Sequence, residues 1–316
     1  MRPIARLVPF RNSCISGPDA LILRSAMDTF DLHSTPNRTI LDLRRLGIKD
    51  MPVIGHYTYL RAAQGLSTES HQEHFEITYL SKGVQIYEAN GQRSVLQGGD
   101  LHLTLPGESH STAGQPEEKG EAYWFFLRSP NAAKGVFDLP ATATADLVNI
   151  LRQGRRQARA TPALASHIKE IFRLWPTAAE ASLDAAALKS RAELLWIEVA
   201  HCFSREVAQD IAGPVGNAME LLKRDGNWDI SITDLALAAH LSEARFKVCF
   251  KTETGIPPGE YLIRRRLEKA KFWLRRSPHP IMHIAAELRF PTAQYFATVF
   301  KRYTGMRPQD YRDANR

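Results

Sequence analysis

The sequence predicts an α+β fold in which a small antiparallel barrel comes first and helices, including an all-α carboxy-terminal third, follow. Short alternating segments fill residues 53 to 127, helical periodicity begins near residue 145, and one helical pattern occurs twice after residue 231. The chain has 316 residues, of which 44% are hydrophobic and 24% charged. This is a globular composition with room for two domains.

Residues 1 to about 50 lack a long regular pattern, because Pro3, Pro9, Pro18 and Pro36 interrupt any extended element. We expect a leading arm here, with one short helix at Leu41 to Leu46. From residue 53 onward the segments are short and apolar, and turn-forming residues separate them. The predicted strands of the barrel are Ile54 to Leu60, Phe75 to Leu80, Val84 to Glu88, Arg93 to Leu96, Asp100 to Leu105 and Ala122 to Leu127.

Helical periodicity, rich in alanine and leucine, returns after residue 145. The predicted helices are Asp146 to Ala158, Pro162 to Trp175, Ala179 to Arg205 and Asn217 to Lys223. The second and third of these are long enough to lie as a pair against another subunit, so we expect a homodimer. Ala212-Gly213-Pro214 marks the expected boundary before the last domain.

One pattern occurs twice between Ser231 and Arg312. The two copies are offset by 49 residues up to Leu241 and Phe290 and by 50 afterwards, which predicts one inserted residue between Pro291 and Tyr295. The first copy contains Ile232, Leu235, Ala236, Leu241, Phe246, Phe250, Lys251, Thr254, Gly255, Pro258 and Tyr261. The second contains Ile281, Ile284, Ala285, Phe290, Phe296, Phe300, Lys301, Thr304, Gly305, Pro308 and Tyr311.

Each copy predicts two short helices joined by a tight turn. Ser242 can cap the second helix of the first copy, Pro291-Thr292 can do so in the second, and Gly255 and Gly305 end these helices. Such a unit is a helix-turn-helix, whose second helix enters the major groove of DNA. The apolar spacing assigns the phenylalanines of both copies to packing. A plain helical repeat without a binding role is the alternative.

A helix from Gly259 to Arg276 is predicted between the two copies, and about 18 residues span roughly 27 Å. That length broadly suits two readers in successive major grooves, which lie about 34 Å apart. Arg264, Arg265 and Arg266 in this helix are candidates for phosphate contact, with at least one of them expected on a solvated face.

The net positive charge of the chain comes from its last third. Residues 213 to 316 contain 18 Lys and Arg against 11 Asp and Glu, an excess of 7 that equals the formal net charge of the whole chain. A basic helical region is typical of proteins that displace counterions from nucleic-acid phosphates. We therefore expect double-stranded DNA as a partner.

The three cysteines, Cys14, Cys202 and Cys249, are widely spaced and odd in number, which indicates a reducing compartment and no metal-ligand motif. No apolar run reaches the length of about 18 residues that a membrane span needs, and the amino terminus lacks a signal-peptide core. We expect a cytoplasmic protein with no membrane partner.

The segments LSEARFKVCFKTETGIPPGEYLIRRRLEKAKFWL and IAAELRFPTAQYFATVFKRYTGMRPQDYR closely resemble the AraC/XylS family of bacterial transcription regulators. The resemblance covers about the last hundred residues and implies a seven-helix domain with two DNA-reading units. By position in that motif, the implied DNA-binding residues are Ala244, Arg245, Lys247, Val248, Lys251, Ala293, Gln294, Ala297, Thr298, Lys301 and Arg302.

Many family members have arginine where this chain has Val248 and Thr298. Loss of an arginine–guanine contact removes about 1 to 3 kcal/mol of base discrimination. The resemblance thus implies that this chain reads thymine methyl groups and DNA shape at these positions. Arg245, Lys251, Lys301 and Arg302 are expected nearer the phosphate backbone.

The amino-terminal half resembles the cupin-like, sugar-sensing domain of the same family, through HQEHFEITYLSKG and GGDLHLTLPGESHST. Enzymatic cupins hold a metal with two histidines at H-x-H spacing, a glutamate and a later histidine. The spacing of His71, His74, Glu76 and His110 departs from that pattern, so we expect no metal and no cofactor. The expected effector-binding residues are His71, His74, Glu76, Tyr79, Tyr87, His110 and Trp124, with the aromatic residues alternatively part of the core.

These features together predict a DNA-binding transcription regulator, not an enzyme. The expected mode is an activator that contacts RNA polymerase and responds to a small molecule, with a carbohydrate as the leading candidate. The expected domains are 1–140, effector binding with a leading arm; 141–212, dimerisation helices and linker; and 213–316, DNA binding. The alternatives are a cupin metalloenzyme with a helical appendage and a nonspecific DNA-compacting protein.

Overall fold

A computed structural model describes residues 30–63, 65–130, 135–205, 215–223 and 228–315. The leading arm before residue 30 and the expected boundary at 212–214 lie outside this part of the chain. The strands are β1 Arg38–Asp42, β2 Val53–Tyr59, β3 His74–Lys82, β4 Val84–Ala89, β5 Gln92–Gln97, β6 Asp100–Thr104, β7 His110–Ser111, β8 Gly120–Arg128 and β9 Gln157–Arg159.

The helices include one short 3-10 helix, Leu43–Leu46, and a set of α-helices. The α-helices are α1 Ala141–Gln153, α2 Pro162–Ala178, α3 Ser182–Ser204, α4 Gly216–Lys223, α5 Ile232–Ala238, α6 Glu243–Thr254, α7 Pro258–Arg276, α8 Ile281–Glu287, α9 Ala293–Thr304 and α10 Pro308–Ala314. The α+β class predicted from the sequence is confirmed.

The described strands form two antiparallel sheets and do not close into one continuous ring. The larger sheet has the order β1-β2-β8-β3-β6-β9 and the smaller one β5-β4-β7. All six predicted strands are present, with ends shifted by one or two residues. The strands that the sequence did not indicate are β1, β7 and β9, which are short and lie at sheet edges or beside turns.

Two predicted helices differ from the structure. The helix expected at Asp146 to Ala158 begins earlier and ends at Gln153, because the backbone of Gly154 is extended, with ψ at 178°. A Cβ at this position would lie 2.5 Å from the Ile150 carbonyl oxygen, so the turn requires glycine. The chain then turns into β9, which pairs with β6. The short helix expected at Leu41 to Leu46 is the 3-10 helix alone, since Leu41 still pairs with β2.

The amino-terminal core lies between the larger sheet and the helices α1 to α3. Trp196 of α3 is 1% exposed, and its ring centroid lies 6.1 Å from that of Phe75 in β3. The apolar stripes of α2 and α3 cover the same face of the sheet. This packing leaves the other face of β3 free to line a cavity with the smaller sheet.

The carboxy-terminal helices build two separate cores, one for each copy of the repeated pattern. Phe246 and Phe250 belong to the first core, and Phe296 and Phe300 to the second; all four rings are fully buried. Helix α7 contributes to both cores, with Leu262 in the first and three other buried residues in the second. The assignment of these phenylalanines to packing is confirmed.

The repeat extends to the backbone. His240 and Arg289 both have a positive φ, at 55° and 56°, in the turn before each second helix. Ser242 accepts a hydrogen bond from Arg245 N–H, and Thr292 accepts one from Tyr295 N–H. Because Ser242 and Thr292 are equivalent caps, the inserted residue of the second copy is Pro291. Among the described helices, none is both long and apolar enough to cross a membrane.

Truncation of a buried phenylalanine should destabilise the carboxy-terminal helices. We expect Phe246→Ala and Phe296→Ala each to lower the free energy of unfolding by about 3 to 5 kcal/mol, because each leaves a cavity in a small core. Val248→Ala is the control, since Val248 is 61% exposed and should change stability by less than about 0.5 kcal/mol. Chemical denaturation followed by circular dichroism measures all three. A loss of similar size for Val248→Ala would contradict the assignment of helix faces.

Candidate nucleic-acid interface and ligand cavity

The first reading helix, α6, turns its predicted DNA-binding residues away from its core. Ala244, Arg245, Lys247, Val248 and Lys251 are all exposed, while the phenylalanines between them are buried. Both lysines and Val248 line one open groove beside the start of α7. This is the placement that a groove-reading helix requires.

The second reading helix, α9, is arranged in the same way. Its predicted residues Gln294, Thr298, Lys301 and Arg302 are exposed, and Ala293 and Ala297 are partly exposed. Most of these line a second open groove. The same groove is bordered by Arg61 and Ala62 of the amino-terminal region, and Ala62 N–H donates to the Arg302 carbonyl at 2.8 Å. The amino-terminal region therefore reaches the second reading helix directly.

The three consecutive arginines of α7 contact other groups of the protein and do not form an open face for phosphate. Arg264 is 8% exposed and forms ion pairs with Glu118 and Glu260. Arg265 lies over the Trp228 ring at 4.3 Å, and Arg266 donates to the Trp228 carbonyl at 2.8 Å. The expectation of phosphate contact is therefore wrong for Arg264, because burial and two carboxylates occupy its guanidinium.

A cavity of about 120 Å³ lies between the sheets of the amino-terminal region. Four of the predicted effector-binding residues line it, namely His71, Glu76, Tyr87 and Trp124. Its size is below the range of about 300 to 1,000 Å³ that is typical of sites for drug-sized ligands. The cavity therefore suits a small polar molecule.

The other three predicted effector-binding residues are placed differently. His110 lies behind the cavity wall, with Nε2 2.8 Å from Glu76 Oε2. His74 is buried beside the rings of Phe30 and Phe126, with the Phe30 ring centroid 5.1 Å away. Tyr79 packs on the opposite face of β3 against Tyr123, because strand alternation separates it from Glu76 and Thr78. Its assignment to the cavity is therefore wrong.

Glu76 lies beside the imidazoles of His71 and His110, with Oε2 3.5 Å and 2.8 Å from their Nε2 atoms. Burial alone would raise the pKa of Glu76, but the neighbouring His110 outweighs burial and holds this pKa below its ordinary value. Burial likewise disfavours the charged form of His110, while Glu76 raises the pKa of that imidazole above its ordinary value. A buried carboxylate is therefore stabilised in its ionised form at the inner end of the cavity.

Several cavity residues were not predicted from the sequence. They are Phe30, Asp31, Arg38, Tyr57, Leu66, Glu69, Thr78, Glu117 and Phe126. Arg38 lies over the Trp124 ring at 5.1 Å, and Glu117 is a half-buried carboxyl whose pKa is raised by its partial burial. Alternation along β3 could have identified Thr78. Alternation along β8 could likewise have identified Phe126, two residues after Trp124. Arg38 and Tyr57 lie on β1 and β2, and the other residues lie outside the named strands.

Two family models match the chain, and they cover the two regions just described. Residues 57–195 match the AraC-like ligand binding domain, and residues 235–314 match a helix-turn-helix domain. The chain belongs to the AraC/XylS family. The expected order of a ligand-binding domain and a helical helix-turn-helix domain is thereby confirmed.

Known relatives of this AraC/XylS family member match 26 to 30% of the chain. The HTH-type transcriptional activator RhaR of Yersinia pseudotuberculosis is 37% identical over 94 residues, which are 30% of this chain and 32% of that protein. The chain thus spans about a third of the length of the curated relatives it matches.

Two solved structures illustrate the similarity. The C-terminal domain of the response regulator yesN from Fusobacterium nucleatum is 29% identical, covers 30% of this chain and 93% of its own, and has a TM-score of 0.29. ToxT from Vibrio cholerae is 11% identical, covers 83% of this chain and 99% of its own, and has a TM-score of 0.33.

Acidification should destabilise the ligand-binding domain through His102. This residue is 1% exposed and stacks on Tyr87, and burial lowers its pKa from 6.5 to about 4. Between these two values the unfolded chain binds a proton that the folded chain does not. The free energy of unfolding should therefore fall as the pH falls from 6.5 to 4, and His102→Gln should reduce this slope.

Urea unfolding at a series of pH values measures the effect. His33→Gln serves as the matched control, because His33 is an exposed histidine of the same domain. An unchanged slope in His102→Gln, with the variant folded, would contradict the prediction.

Proposed function

We propose that this protein is a DNA-binding transcription regulator whose two reading helices contact successive major grooves and whose amino-terminal domain binds a small effector. The observation that carries the proposal is the outward display of equivalent side chains on α6 and α9. The confinement of the net positive charge to residues 213 to 316 adds to it. A metalloenzyme with a helical appendage would not require two matched, exposed faces.

The effector that we propose is a small polyhydroxylated molecule, with a carbohydrate as the leading candidate. The cavity combines the Trp124 ring with the carboxylates of Glu76 and Glu117 and the guanidinium of Arg38. Carboxylates accept hydrogen bonds from hydroxyl groups, and an aromatic face packs against the C–H face of a sugar. The small volume of the cavity favours a single ring or a shorter molecule.

We further propose that the effector acts through residues 117 to 119. Glu117 faces the cavity, and the next residue, Glu118, forms an ion pair with Arg264 of α7. Arg264 also donates to the Lys119 carbonyl at 2.8 Å, and its guanidinium lies 4.8 Å from the ring centroid of Tyr303 in α9. A change at Glu117 is therefore one residue away from a contact that reaches the second reading helix.

The proposed control is inhibitory in the state described here. Arg61 and Ala62 border the groove of α9, where they would compete with DNA for Gln294 and Thr298. Effector binding would shift the molecule toward a second state in which this contact is released. Regulation of this kind needs only a difference in effector affinity between the two states.

The proposal includes a homodimer formed by the helices after the sheet. The outer face of α3 exposes Leu183 to 82% and Leu194 to 43%, with Ala187 between them on the same face. Exposed apolar stripes of this kind mark interaction surfaces. Activation of transcription through RNA polymerase, in a cytoplasmic compartment, completes the proposal. The similarity to an activator over 94 residues supports the activating role.

Substitutions on the reading faces should weaken specific binding more than nonspecific binding. We expect Lys247→Ala and Gln294→Ala each to cost about 1 to 3 kcal/mol on an operator fragment and less on random DNA, because both face the proposed groove. Fluorescence anisotropy at two salt concentrations measures both affinities. Lys49→Ala, an exposed lysine of the other domain, should change neither. Equal losses on both DNAs would indicate that a different helix face reads the bases.

Release of the contact at Glu118 should increase DNA binding without effector. We expect Glu118→Gln and Arg264→Gln to raise affinity for an operator fragment, because each breaks the ion pair that holds α7 against the ligand-binding domain. Asp146→Asn is the control, since it also removes one negative charge and Asp146 is an exposed residue of α1. Unchanged or lower affinity in variants with normal circular dichroism would contradict the inhibitory role.

A further inference from the structure

One end of the ligand cavity brings together Glu69, His71 and His110, side chains of the types that bind metal ions, and Glu76 lies beside the two histidines. Glu69 and His110 lie opposite each other in an isolated antiparallel bridge, with both backbone hydrogen bonds at 2.9 Å. His71 follows in the next turn, where its carbonyl accepts from Gly107 N–H at 2.8 Å, and Glu76 follows on β3. The backbone therefore fixes these residues from three separate segments around one point.

The side-chain atoms of this cluster converge closely. One ligand atom each from Glu69, His71 and His110 lies within 4.8 Å of the others. Glu76 Oε2 lies 3.5 Å from His71 Nε2 and 2.8 Å from His110 Nε2. Two ligands about 2.1 Å from one ion in tetrahedral geometry are about 3.4 Å apart. The separations within the cluster thus suit a shared cation after small adjustments.

The hydrogen bonding of the cluster also points to a ligand. Within the described part of the chain, His71 Nε2, Glu76 Oε2 and both ring nitrogens of His110 are buried and make no hydrogen bond of acceptable geometry. Glu76 is 9% exposed and His110 is 2% exposed. Buried polar atoms that make no well-directed hydrogen bond are rare, and here Glu76 Oε2 lies close to both imidazoles without one. A cation bound at this point would interact favourably with the carboxylate oxygens and with the imidazole nitrogens that face it.

We propose that Glu69, His71, Glu76 and His110 bind one divalent first-row transition-metal ion. Two imidazoles with two carboxylates match the preferences of Zn²⁺, Co²⁺, Ni²⁺, Fe²⁺ and Mn²⁺, whereas Mg²⁺ and Ca²⁺ favour sites made of oxygen ligands. We expected no metal because the spacing of His71, His74, Glu76 and His110 departs from the cupin pattern. In the structure Glu69 lies beside His71 and His110, in the place expected for His74. The metal site can be tested independently of the proposed function, because neither DNA nor an effector is needed for metal binding.

A bound ion would connect three segments of the ligand-binding domain. It would join the turn at residues 69 to 71, the first part of β3 and the strand β7 at the cavity. The four ligands come together only in the folded chain, so the ion should bind the folded state more tightly than the unfolded state. Its binding should therefore also raise the thermal unfolding temperature. This gives a readout that does not depend on any activity.

The experiment uses the full-length chain without a polyhistidine tag, depleted of metal by a chelator. The background carries His279→Ala and His283→Ala, because these exposed histidines have ring centroids 4.8 Å apart and could bind ions adventitiously. Calorimetric titration with Zn²⁺ and visible absorption with Co²⁺ give stoichiometry and affinity. We expect one ion per chain and a higher unfolding temperature in its presence.

Two ligand variants and one control complete the test. His110→Ala and Glu69→Gln should each weaken binding by about tenfold or more, while His201→Ala, an exposed histidine of α3, should not change it. Glu69 is exposed, so Glu69→Gln remains informative if His110→Ala fails to fold. Absence of binding in the folded background protein, or equal affinity in Glu69→Gln and the background, would overturn the proposal.

Discussion

The burial of two phenylalanine pairs is the constraint on which the rest of the helical domain depends. Phe246 and Phe250 fill one core and Phe296 and Phe300 fill the other. A helix that buries one stripe must present the opposite stripe to solvent. The exposed positions of α6 and α9 are therefore determined by the packing of their aromatic neighbours, and the same rotation of both helices yields two equivalent exposed surfaces, the ones proposed to face DNA.

Helix α7 joins this arrangement to the ligand-binding domain. Its apolar residues belong to both helical cores, and the buried guanidinium of Arg264 pairs with Glu118 across the domain contact. A buried ion pair contributes little net stability, because desolvation offsets most of its attraction. Breaking one partner is costly, however, which makes such a pair suited to holding two domains in one defined arrangement. The proposed control of DNA binding depends on this property.

The ligand cavity combines two kinds of chemistry. Trp124, Arg38 and Glu117 suit a hydroxylated organic molecule, whereas the histidines and carboxylates at the inner end suit a transition-metal ion. Both proposals can hold together, since a metal ion at the inner end leaves the aromatic wall accessible. Metal binding does not by itself imply an enzyme, because a bound ion can also order the strands around a sensor site.

The sequence alone determined six of the strands, most of the helices and the duplication, because these follow from local periodicity and from one repeat compared with the other. The outward residues of α6 and α9 came from the resemblance to the AraC/XylS motif. Only the tertiary structure decided that Arg264 pairs with Glu118, that Tyr79 leaves the cavity, and that Glu69 joins His71 and His110. These contacts join residues far apart in the chain or on loops, and their partners depend on how sheets and helices pack. The spacing of residues along the chain does not indicate such contacts.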